Sequence, residues 1–95
     1  MTIFVDADAF PNVLKEILLR FVMKRGIPTR FIANKKISVP DVPFISMEIA
    51  PQGADEADHL IASTCKAGDI VITADIPLAD RIVAKGAIGL DPRGT

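Results

Sequence analysis

The sequence predicts a three-layer α/β domain built on a mostly parallel sheet, in the order β-α-β-β-α-β-α-β. Short apolar runs alternate with segments whose apolar residues recur at i, i+3 and i+4, the period of a helix lying on a sheet. The 95 residues make one small domain, and 49% of them are hydrophobic, enough to bury both faces of a short sheet. Polar groups gather at every strand-to-helix exit, whereas Gly26, Gly68 and Gly86 stop helices at the opposite rim. An α/β sheet with a site at the carboxyl ends of its strands shows this asymmetry.

Residues 3–6 form the first strand, an apolar run ending in Asp6. Pro11 suits the first turn of a helix. Val13, Leu14, Ile17, Leu18, Phe21 and Val22 give that helix an inward stripe, with Lys15, Glu16, Arg20 and Lys24 mostly opposite. Lys24 and Arg25 complement its negative end, and Gly26 supplies a left-handed stop. Residues 28–33 form the second strand and lead into Asn34-Lys35-Lys36. Pro40, Asp41 and Pro43 mark a loop. Residues 44–49 read as a strand of mixed pattern, short or at an edge. Pro51-Gln52-Gly53 breaks it, and a helix begins near Ala54 with Ala57, Asp58, Ile61 and Cys65 on one stripe. Lys66 and Gly68 end that helix, and Ile70-Val71-Ile72 is a buried strand. Pro77 opens a third helix with Leu78, Ile82 and Val83 inward. Residues 87–90 form the last strand, ending at Asp91-Pro92-Arg93-Gly94.

Composition narrows the function. The five aromatic residues are all Phe, so a Tyr or Trp platform for stacked bases is absent. A net charge of -1 argues against sequence-independent coating of nucleic acid but leaves room for local phosphate contacts. Cys65 is the single cysteine and cannot form an internal disulfide, which fits a reducing cytosol. No apolar run approaches membrane-spanning length, so the expected location is cytoplasmic, with no membrane partner.

The chemistry lies in the acidic residues. Asp6 and Asp8 close the first strand, and Asp75 follows the run Ile70-Val71-Ile72. If the two strands are parallel neighbours, these carboxylates converge on one rim, where they repel one another unless protonated or sharing a cation. Asp58 shares a core-facing stripe, and a charge there needs a partner or a cleft. Asp8 and Asp75 could instead be plain helix caps, and Asp55 and Glu56 need only the helix macrodipole to explain them. His59 has no second His or Cys beside it and reads as a solvated helix residue, not a zinc ligand. Cys65 reads as core, and Asp80 as an ordinary helix residue. An all-oxygen set selects Mg2+ or Mn2+. Asn34, Lys35, Lys36 and Arg93 fall on the same predicted rim, where they can contact phosphates. No Gly-rich phosphate loop is present.

The stretches Ile3 to Pro11, Phe31 to Asn34, Gly53 to Asp58, Asp69 to Ala79 and Lys85 to Gly94, in this order along the whole chain, resemble the YaiI/YqxD family of bacterial proteins. Thr73-Ala74-Asp75-Ile76-Pro77-Leu78-Ala79 is the most specific of them. The family is placed near the PIN and NYN nuclease-like domains. The resemblance therefore implies a PIN-like, Rossmann-like domain with Asp6, Asp8, Asp58 and Asp75 as metal-binding catalytic residues for RNA cleavage. Phe10 stands where family members usually have Cys, which removes a reactive thiol there. Family members also continue past Asp-Pro-Arg-Gly, so residues 1–95 are expected to form a single domain lacking the family's C-terminal segment. Sheet faces left bare would then be covered by self-association into a homo-oligomer.

The leading expectation is a Mg2+- or Mn2+-dependent ribonuclease-like phosphodiesterase with an RNA or nucleotide substrate. One alternative is a non-catalytic domain that binds RNA, a nucleotide or a protein. Another is a phosphatase of the haloacid dehalogenase type, which also opens on Asp-X-Asp after a first strand. Phe10 occupies the position where that type has a small hydroxylic residue.

Overall fold

The computed structural model of the protein describes residues 1–8, 10–50, 56–74 and 76–92. The elements are β1 (Ile3–Asp6), α1 (Asn12–Arg25), β2 (Thr29–Ala33), β3 (Ile45–Ile49), α2 (Glu56–Thr64), β4 (Ile70–Ile72), α3 (Ile76–Ala84) and β5 (Ile88–Leu90). The strands form one sheet in the order β3-β2-β1-β4-β5. Every pairing in it is parallel, where the sequence predicted a mostly parallel sheet. The mixed-pattern strand of residues 44–49 is the edge strand β3, as expected.

Period-two alternation divides the sheet's side chains between two cores. Phe4, Ile32 and Val71 point to one face, where they pack with Ile61, Ala62 and Cys65 of the α2 segment and Leu78 and Ile82 of α3. Ile3, Val5, Phe31, Ala33 and Ile45 point to the other face, against Val22, Leu18 and Leu19 of α1. No helix links β2 to β3. Ile37, Val39, Val42 and Phe44 of that connection pack on the α1 side and cover this half of the sheet.

Two helices depart from expectation. Pro11 is the N-cap of α1 and not part of its first turn; its extended backbone (φ -62, ψ 140) stands outside the helix, and its carbonyl accepts from Lys15 N at 3.0 Å. Within the predicted inward stripe only Val22 is buried, while Val13 and Ile17 are 68% and 55% exposed and Phe21 is exposed as well. Val83 of α3, also predicted inward, is exposed, whereas Leu78 and Ile82 are buried. In each case the apolar arc is wider than the surface available to cover it. Gly26 ends α1 as predicted: at φ 65 it is left-handed, and its N–H and that of Ile27 both donate to the Val22 carbonyl.

Candidate functional site

β1 is the middle strand. The chain moves to β2 through α1 on one face, and later reaches β4 through α2 on the other. The topological switch point, where an open parallel sheet forms its crevice, therefore lies at the carboxyl ends of β1 and β4. Asp6 is the last residue of β1 and Thr73 directly follows β4. The Thr73 hydroxyl donates to Asp6 Oδ2 at 2.9 Å, across 67 residues of sequence. Thr73 is buried and Asp6 half-buried. This bond ties the end of β1 to the exit of β4 and constrains the orientation of the Asp6 side chain.

Asp8 behaves differently from Asp6. The spacing in sequence predicts that the two face the same side of a continuing strand. Instead β1 ends at Asp6, and Asp8 lies in a turn. Its Oδ1 accepts from the backbone N–H of Asn34 at 2.6 Å. Asp6 is thus tied toward β4 and Asp8 toward the exit of β2. Ala7 between them keeps the sheet pairing, its N–H donating to the Ile32 carbonyl at 2.9 Å.

Among the described residues, Asn34 Oδ1 is buried and has no hydrogen-bond partner. A buried acceptor left unpaired costs about 1–3 kcal/mol, so its persistence calls for a reason. Lys35 and Lys36 follow it, both exposed. Asp6, Asp8, Asn34, Lys35 and Lys36 all lie at or just beyond the carboxyl ends of β1 and β2.

Asp75 and Arg93 lie outside the described residues, and so does the side chain of Asp58. Asp58 belongs to the first turn of α2, three residues before the buried Ile61. That turn follows the exit of β3, so it sits on the same rim. Among the described residues no three of His, Cys, Asp and Glu come together as a metal-binding group. His59 is exposed and its Nδ1 lies 3.3 Å from Arg81 Nη2, in keeping with a surface residue. Cys65 is buried in the α2–α3 core, and Asp80 is exposed on α3.

Asp69 is a structural carboxylate. It lies before β4, at the opposite rim, and both its oxygens are occupied. Oδ1 accepts from Thr2 N and Oδ2 from Lys66 N, each at 2.9 Å. This aspartate pins the amino end of β1 to the turn before β4. At mid-strand, Arg30 and Glu48 form a bidentate pair at 2.5 and 2.7 Å. The Glu48 hydrogen bond holds the Arg30 pKa above its ordinary value, against the opposing effect of burial. Asp6, Asp8 and the Asn34 amide carry hard oxygen donors at the carboxyl rim. That donor chemistry fits Mg2+ or Mn2+ and not zinc. Thr73 stands among the polar residues at a strand exit, yet sequence reasoning does not single it out as a site residue. A hydroxyl directly after an apolar strand is the available signal.

Among the described residues no helix is long and apolar enough to cross a membrane. No solved structure matches the chain. A family model described as "Uncharacterized BCR, YaiI/YqxD family" matches residues 4–95. A UPF0178 protein of a Nitratiruptor species is 56% identical over 95 residues, covering 100% of this chain and 62% of that relative. A UPF0178 protein of a Sulfurovum species is 54% identical over 94 residues, 99% of this chain and 64% of the relative. One from Klebsiella pneumoniae is 52% identical over 94 residues, with 99% and 62% covered. The chain spans less than two thirds of the length of these curated relatives. With the match running through both the first strand and the last, the chain belongs to the YaiI/YqxD family.

Proposed function

We propose that this domain is a Mg2+- or Mn2+-dependent phosphodiesterase acting on RNA. The observation that carries the reading is Asp6 at the switch point of a wholly parallel sheet, with its carboxylate oriented by Thr73. Asp6 and Asp75 hold the cation, and Asp8 and Asp58 hold a second ion or its waters. The Asn34 amide, a phosphate contact by its place in the sequence, is better suited to the cation side, because its unpaired atom is an acceptor oxygen. A bound divalent ion supplies charge stabilisation for the phosphate and a water of lowered pKa. The protein's own part is to orient those oxygens and to bring the substrate. Lys35 and Lys36 are exposed beside Asn34, where they, with Arg93, attract backbone phosphates to an otherwise acidic rim.

The test is cleavage of single-stranded RNA by purified protein with Mn2+, repeated with Asp6→Asn. The variant removes a negative charge while keeping an acceptor for Thr73, and circular dichroism checks that the fold is retained. The expected loss is at least about 100-fold, the scale on which catalytic electrostatic groups act. Cleavage unchanged in Asp6→Asn overturns the assignment. Calorimetric binding of Mn2+ without any RNA turnover would support the non-catalytic alternative.

A further inference from the structure

We draw no further inference here: the strongest candidate, the open apolar groove between α1 and the face of β4 and β5 opposite α3, lined by Leu14, Ile17 and Phe21 of the helix and Ile72 and Leu90 of the sheet, carries none because nothing in the structure shows what covers it.

Discussion

At the scale of single residues, the polar groups of the two sheet edges are held in different ways. Asp69 uses both oxygens on backbone N–H groups and does structural work at the amino edge of the sheet. Asp6 accepts from the Thr73 hydroxyl at the carboxyl edge, and among the described residues Asn34 keeps a buried oxygen without a hydrogen-bond partner. Functional sites characteristically keep such locally unfavourable groups, at a cost in stability. Asn34→Ala is therefore expected to leave metal-free stability within about 0.5 kcal/mol of the parent, as the packing lost is offset by removal of an unpaired acceptor. The same variant should show a smaller rise in Tm on adding Mn2+. Urea denaturation and thermal melts with and without Mn2+ check both parts. A large metal-free loss would make Asn34 a structural residue. Asp6 is legible in the sequence because a carboxylate directly after a buried apolar run has no local explanation. Its partner Thr73 is not, because a contact across 67 residues leaves no periodic trace.

At the scale of elements, local signals place starts and stops well and burial less well. Gly26 and Gly86 stop α1 and α3 at φ 65 and φ 86. They differ in surroundings. A Cβ on Gly26 meets nothing within 4 Å, whereas one on Gly86 comes within 3.1 Å of Ala67 Cβ, in the turn before β4. Gly26→Ala should cost about 1 kcal/mol, the penalty of the left-handed backbone alone, and Gly86→Ala at least about 2 kcal/mol. Equilibrium denaturation of the two variants checks the ordering, and equal losses would show that the Ala67 contact relaxes freely. The stripe on α1 is apolar, as its spacing predicts, but most of it is not buried. Periodicity states which face of a helix is apolar, but the neighbours that cover it belong to other parts of the chain. Asp8 is a similar case, since a two-residue spacing aligns side chains only while the strand continues.

At the scale of the whole molecule, charge governs how the proposed substrate is met. The net charge of -1 offers no broad attraction to a polyanion, so binding should rest on a few contacts. With Lys35, Lys36 and Arg93 each neutralising one phosphate, the logarithm of the RNA association constant should fall against the logarithm of salt with a slope of about -2. Replacing both lysines by Ala should bring the slope to about -0.7. Filter binding across a salt series checks this, and a slope unchanged by the double substitution would move the phosphate path elsewhere. Element order, the parallel habit of the sheet, the helix stops and the family were all readable from the residues in a row, because they depend on short-range periodicity, turn chemistry and residue identity. The pairing of Asp6 with Thr73 and of Asp8 with Asn34, and the exposure of Ile88 and Leu90 on β5, emerged only on folding. Those outcomes depend on strand order in space, and the order β3-β2-β1-β4-β5 joins residues that the chain itself keeps far apart.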